Sequence, residues 1–225
     1  MLMEKRFQEI LRILEEQGTV SVQDLTESLD ASEATIRRDL SQLAQMGKLK
    51  KIYGGAASLE TGYQTREIRV EERQELYVEE KKQIAKYAAS LIEPGDFVYV
   101  DAGSSTEYLV EYIEERDASY VTNSMSHALK LAGRGMKVSI LGGNVKGTTE
   151  AVVGADAMEM LRRYHFTRGF WGADGIRKKE GCTTPEMEEA AVKRLSMKQT
   201  RECYVLCDGS KFGKIAQVTF AELAD

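Results

Sequence analysis

Four side chains on one short stretch could read a nucleic acid. Thr35, Arg37, Arg38 and Gln42 supply a hydroxyl, two guanidinium groups and an amide, the groups that reach base edges and phosphates in a major groove. Lys48, Lys50 and Lys51 follow closely and could hold further phosphates. A second set, farther along, suits a small anion. Gly103-Ser104-Ser105-Thr106, ahead of an apolar helical pattern, offers backbone amides and hydroxyls to a phosphate group. Lys211 could add a cation, and Asp101, Asn123 and Asp174 could bond the hydroxyls of a sugar. Each feature also has a plainer reading: an Arg-Arg-Asp run is commonly a solvated, ion-paired helix face, and a Gly-Ser-Ser-Thr turn is commonly a helix cap. The surrounding elements decide between them.

The first set sits on a predicted helix that Ser32 caps and whose Ile36, Leu40, Leu43 and Ala44 recur on one apolar face. Upstream, Phe7, Ile10, Leu11 and Leu14 mark a first helix that Gly18 ends. Val20-Ser21-Val22 reads as an extended bridge, and Leu25 and Leu29 mark a second helix from about Gln23 to Leu29, turned at Asp30-Ala31. Downstream, Gly47 and Lys48 to Ala56 form a basic, glycine-ended hairpin. Three short helices and a hairpin in this order predict a winged helix-turn-helix in residues 1–57.

Charge supports a local footprint. Over residues 33–57, Arg37, Arg38, Lys48, Lys50 and Lys51 against Glu33 and Asp39 leave +3, while the whole 225-residue chain carries −5. A general nucleic-acid coating protein would be basic throughout. Cys182, Cys203 and Cys207 lack metal-ligand spacing; Cys203 and Cys207, on one apolar strand pattern, read as reduced core filler. No apolar run reaches the ~20 residues that span a bilayer, and no signal-peptide core is present, so a cytoplasmic protein without membrane contact is expected.

Residues 58–75 are polar and charged, with Thr61-Gly62 as a turn, and read as a linker. Residues 76–225 alternate strand and helix. A helix from about Val78 to Ile92 stops at Pro94-Gly95, and apolar runs begin at Phe97, Tyr120, Val138, Phe166 and Cys203. Each run leads into a small polar loop, among them Thr122-Asn123, Gly142-Gly143, Asp174 and Lys211, and helices intervene, including one from about Glu186 to Met197. This rhythm predicts an open, mostly parallel α/β sheet whose five loops converge at the carboxyl edge, where ligands of such sheets collect.

Taken together, Thr35-Ile36-Arg37-Arg38-Asp39-Leu40, Tyr53-Gly54-Gly55-Ala56, Lys81 with Ile84-Ala85, Asp101 with Gly103-Ser104, Thr122-Asn123-Ser124, Leu141-Gly142-Gly143 and Ser210-Lys211-Phe212-Gly213 resemble the DeoR family of bacterial transcription regulators over nearly the whole chain. The resemblance implies a repressor of a carbohydrate uptake or catabolism operon, acting as a homo-oligomer (dimer or tetramer) on double-stranded operator DNA. It further implies a phosphorylated sugar as effector, in a domain related to ribose-5-phosphate isomerase. Carried over by position, the effector would lie on Gly103, Ser104, Ser105 and Thr106, with Asp101, Thr122, Asn123, Gly142, Gly143, Asp174 and Lys211 around it. Two departures stand out. Asp208-Gly209-Ser210 occupies a place where the family more often has a second serine, and the chain stops at Asp225 where members usually continue into another strand, as expected of a truncated C-terminus or of a sheet edge completed differently.

An isomerase-like enzyme is the alternative, with Asp101, Asp174 and Lys211 moving a proton between adjacent carbons. A DNA module would serve such an enzyme no purpose. With only His127 and His165, no serine elbow and no nucleotide-binding loop, other chemistries find no support. No catalytic residue, cofactor or metal is expected.

Overall fold

The computed structural model describes residues 3–58 and 70–224. The chain divides into two compact units, the first of residues 1–64 and 212–214 and the second of residues 65–211 and 215–225.

In the first unit the elements are α1 (Met3–Gln17), β1 (Thr19–Ser21), α2 (Val22–Leu29), α3 (Glu33–Gln45), β2 (Lys50–Ile52) and β3 (Gly55–Ala57). The expected bridge ends one residue early, because Ser21 forms a capping box with Asp24 and Val22 becomes the first residue of α2. Asp30 closes α2 in the left-handed region (φ 46°), which turns the chain toward the Ser32 cap of α3. The small sheet runs β1-β3-β2, antiparallel throughout. A side chain at Gly55 would put its Cβ 2.0 Å from the Val20 carbonyl oxygen, so the close approach of β3 to β1 requires glycine. Ile10, Leu14, Leu25, Ile36, Leu40 and Leu43 fill the core.

The second unit begins inside the expected linker. Residues 59–69, with the predicted Thr61-Gly62 turn, lie outside the described residues, but Val70–Gln74 forms a helix, α4. Then follow α5 (Val78–Ala89), β4 (Phe97–Val100), α6 (Ser104–Tyr112), β5 (Ser119–Thr122), α7 (Met125–Gly133), β6 (Lys137–Ile140), β7 (Asn144–Val145), β8 (Val152–Val153), α8 (Ala155–Leu161), β9 (Phe166–Gly172), β10 (Gly175–Arg177), β11 (Gly181–Thr184), α9 (Met187–Lys198), β12 (Thr200–Leu206), a 3-10 turn (Gly209–Lys211) and β13 (Val218–Ala221).

The five predicted strands form one parallel sheet in the order β12-β9-β4-β5-β6. Alternate residues of β4 face opposite layers. Val98 and Val100 pack with α5, α6 and α7 through Ala85, Leu109 and Leu131, while Tyr99 packs with α8 and α9 through Leu161 and Val192. Burial on both faces explains why the central strand β4 reads as an unbroken apolar run, whereas the edge strand β6 is largely exposed. Two smaller antiparallel sheets, β7-β8 and β10-β11-β13, escaped the sequence reading. Their strands are two to four residues long, too short for a periodic signal. Cys182 and Cys203 lie in the core layers outside any disulfide; Cys207 lies one residue beyond β12, not on it, and is likewise not disulfide-bonded. Among the described residues, no helix is long and apolar enough to cross a membrane.

Candidate nucleic-acid interface and anion cleft

All seven residues expected to meet DNA lie on the surface of the first unit, Thr35 being the least exposed. At 100° per residue, Thr35, Arg38 and Gln42 take one flank of the outer arc of α3, and Arg37 takes the other with Glu33 and Ser41. Arg37 is tied to Glu33, with Nε at 3.0 Å and Nη2 at 2.5 Å from one carboxylate oxygen. Both residues border a cleft with Ser21, Gln23, Thr26 and the wing glycine Gly54. Lys51 bonds the Ser41 hydroxyl at 2.9 Å, fixing the wing against α3, while Tyr53 stands fully exposed at its tip. Asp39 does not share the outer face. It is 2% exposed and forms an ion pair with Arg6 of α1. The acid of the Arg-Arg-Asp run therefore leaves the basic surface undiminished.

In the second unit a small cleft opens at the carboxyl ends of β4 and β9. The strand order changes direction between these two, and this is where open α/β sheets bind ligands. Of the residues expected there, Gly103, Ser104, Ser105, Asp174 and Lys211 line it. The first amides of α6 have no acceptor inside the helix, as at any helix start, and both serines are 8% exposed. Lys211, on the 3-10 turn after β12, enters from the neighbouring strand's end.

Asp101 stands behind the cleft. Its carboxylate, 1% exposed, accepts from Lys193 and from the Gly172 amide at 3.2 Å. Burial pushes this carboxyl up, and Lys193 opposes the shift.

Thr106, Thr122, Asn123, Gly142 and Gly143 do not line the cleft. The Thr106 hydroxyl donates to the Gly103 carbonyl at 2.9 Å, and Thr122 accepts from the Ser124 amide at 3.0 Å. Asn123 braces the anion loop from behind, its Oδ1 accepting from the Ala102 amide at 2.8 Å. Gly143, at φ 142°, approaches β8 so closely that a Cβ would meet the Val153 carbonyl oxygen at 2.5 Å. The expected convergence of five loops is thus a convergence of three, those after β4, β9 and β12. The loop after β6 starts two strands, about 10 Å, from β4.

The cleft also holds charges the sequence reading missed: Arg73 of α4, and Glu189 and Lys193 of α9. Lys193 holds Asp101, and Glu189 accepts from Lys146 at 3.0 Å and from Thr149 at 2.7 Å. A signal existed for the α9 pair, since Glu189 and Lys193 are one helical turn apart on a helix whose other buried residues, Ala190, Val192 and Ser196, carry no charge. None existed for Arg73, which sits in an evenly charged stretch. Nearby, Lys81 is 2% exposed and donates to the Arg73 carbonyl; burial lowers its amine to about 8, against the pull of Asp208.

His127 of α7 lies under the anion loop, with its Nδ1 buried and without a partner. Burial lowers it to about 4, although Glu107 and the Gly103 backbone favour its charged form. Because the folded value lies below the unfolded one, near 6.5, its contribution to stability is complete above pH 6.5 and is lost as pH falls toward 4. Between pH 7 and 5 the second unit is expected to lose about 2 kcal/mol through this one group. Urea unfolding at both pH values, compared with His127→Gln, measures it: the variant should lose that much less.

Comparison with known proteins follows the division into two units. Residues 6–62 match the family model described as the DeoR-like helix-turn-helix domain, and residues 77–225 match the DeoR C terminal sensor domain. The chain is 38% identical over 230 residues to the uncharacterized HTH-type transcriptional regulator FruR of Bacillus subtilis, covering 100% of this chain and 89% of that protein. It is 33% identical to the lactose phosphotransferase system repressor of Staphylococcus epidermidis, covering 98% of this chain and 88% of that one. Among solved structures, ribose 5-phosphate isomerase A of Methanocaldococcus jannaschii is similar over 60% of this chain and 54% of its own, at 15% identity and a TM-score of 0.46.

Proposed function

Because the chain belongs to the DeoR family, with a DeoR-like helix-turn-helix domain followed by a DeoR C terminal sensor domain, we propose that it represses genes for the uptake or breakdown of a sugar and is released from its operator by a phosphorylated sugar bound between β4 and β9. The composition of that cleft carries the reading. Gly103, Ser104 and Ser105 at the start of α6, with Lys211, suit a phosphate, and the carboxylates of Asp174 and Glu189 suit the hydroxyls of a sugar. Arg38, Thr35 and Gln42 contact bases and phosphates, Arg37 a phosphate beside the wing, and Lys48, Lys50 and Lys51 hold the wing on the backbone.

Repression and release need only a modest coupling. A ligand that binds the DNA-free arrangement more tightly by ~1 to 3 kcal/mol shifts operator occupancy by about 5- to 150-fold. The protein works in the cytoplasm as a dimer or tetramer, pairing two helix-turn-helix modules on a repeated operator. Binding proceeds without turnover: the carboxylate best placed at the carboxyl end of β4, Asp101, is buried and engaged by Lys193 and Gly172, and Asp174 and Glu189 serve the ligand as hydrogen-bond acceptors.

A thermal-shift screen of phosphorylated and unphosphorylated sugars tests the site, since a ligand of the folded state raises the melting temperature by mass action. A shift with one sugar phosphate and none with its parent sugar is expected; no shift with any would refute the cleft as the effector site. Lys211→Ala should reduce affinity for that sugar phosphate roughly 10-fold, while operator binding without ligand stays at the wild-type level.

A further inference from the structure

We propose that Arg73 is itself an effector-contacting residue: the bound anion draws its guanidinium from Asp174, and the short helix α4 that carries it reports the occupancy of the cleft. The inference rests on the cleft being the effector site and adds to it a residue outside the parallel sheet.

Three observations converge. Arg73 borders the cleft together with Gly103, Ser104, Ser105 and Lys211, so its guanidinium and the anion loop face one space. Its hydrogen bonding is incomplete there. Nη1 donates to Asp174 Oδ1 at 2.9 Å, but Nε is buried with no acceptor, an arrangement that costs free energy until an acceptor arrives. A phosphate presents paired oxygens to the fork of a guanidinium, which a single carboxylate oxygen does not. Asp174, for its part, survives the exchange: its other oxygen already accepts from the Thr184 hydroxyl at 3.1 Å, and the oxygen that Arg73 leaves becomes an acceptor for a ligand hydroxyl.

The third observation is how α4 is held. Five residues cannot form a stable helix alone, so its anchors set its position. These are the Val70 amide on the Thr148 carbonyl at 3.2 Å, Gln74 on Glu107, the Tyr108 hydroxyl on the Gln74 carbonyl at 3.1 Å, Lys81 on the Arg73 carbonyl, and the Arg73 to Asp174 pair. Among the described side chains of α4, Arg73 is the one that borders the cleft. A ligand that re-seats its guanidinium acts on the first helix after residues 59–69, the stretch of chain that leads from the helix-turn-helix.

Inorganic phosphate, with chloride as control, is the probe. Retention by the full chain is measured by equilibrium dialysis for the wild type, Arg73→Met, Arg73→Lys and Asp174→Asn, and amide exchange over residues 70–77 is followed by mass spectrometry. Arg73→Met should lose roughly 10-fold or more in phosphate affinity, Arg73→Lys less, and Asp174→Asn should gain several-fold because its competing carboxylate is gone. In the wild type, phosphate should slow exchange across α4, and this slowing should be absent from Arg73→Met. A merely structural ion pair behaves otherwise: Asp174→Asn would bind phosphate no better than wild type, and wild-type exchange over 70–77 would not respond at saturation; either result overturns the proposal, even where Arg73→Met fails to fold. Wild-type protein that retains no phosphate overturns the cleft reading and this one with it, whereas retention indifferent to Arg73 overturns this one alone.

Discussion

Arg38→Ala is expected to weaken binding to an operator selected by the wild-type protein by about 10- to 100-fold, and Arg37→Ala by only a few-fold. The difference follows from what each guanidinium does before DNA arrives. Arg38 is exposed on the outer arc of α3 with no ion-pair partner among the described residues, so its full charge and donor fork are open to a base or phosphate, a contact worth about 1 to 3 kcal/mol. Arg37 already lies on Glu33. DNA must displace that carboxylate, an exposed pair worth at most about 1 kcal/mol, and the net gain from Arg37 is smaller. Fluorescence anisotropy across a salt series separates base from phosphate contacts, since each lost phosphate contact lowers the salt slope by about 0.9. Phosphate retention in the second unit should be unchanged in both variants. A larger loss from Arg37 than from Arg38 would mean that the flank of α3 beside the wing, with Glu33 and Ser41, enters the groove.

Asp39→Ala is expected to cost the first unit about 3 kcal/mol and to abolish operator binding through unfolding rather than through a lost contact. Its carboxylate is 3% exposed, the Arg6 side chain 12%, and the guanidinium meets both oxygens. Removing the acid takes from a largely buried guanidinium the carboxylate that meets it through two nitrogens, the costly way to break such a pair. A module of this size has little stability to spare. Circular dichroism melting should show an early transition absent from the wild type, with the second unit's transition in place. Asp39→Asn, which keeps an acceptor for Arg6, should fall between the two. If Asp39→Ala melts like the wild type and still loses DNA, Asp39 acts at the interface instead.

Asp39 also shows where sequence reasoning reached its limit. In sequence it follows Arg37 and Arg38, and a count of charges sets it against them. In the structure it lies beside Ile36 and Leu40 on the inner arc, an angle the helical period supplies, but its partner Arg6 is 33 positions away, and no local pattern announces that pairing. Asp30 and Ser32, by contrast, were readable at the turn between α2 and α3, because a turn and a cap join neighbours in the chain. Short pieces went unread for the same physical reason that long ones were read. Four apolar residues buried on both faces, as in Phe97–Val100, leave a trace; the two to four residues of β7, β8, β10, β11 and β13 do not.

The sequence by itself determined the two-part plan, the helix-turn-helix with its basic outer arc, the five strands of the parallel sheet and the polar loops that follow them. Each of these is written in spacings of two to four residues, and backbone geometry converts such spacings directly into faces and ends. Only the tertiary structure decided which loops meet. With β4 between β9 and β5, the loops after β4, β9 and β12 close on one cleft, the loop after β5 supports it through Asn123, and the loop after β6 is left outside. Strand order is set by how whole helices and strands share their buried surface. The same global packing brought Arg73, Glu189 and Lys193 to the cleft from helices that no motif had connected to it.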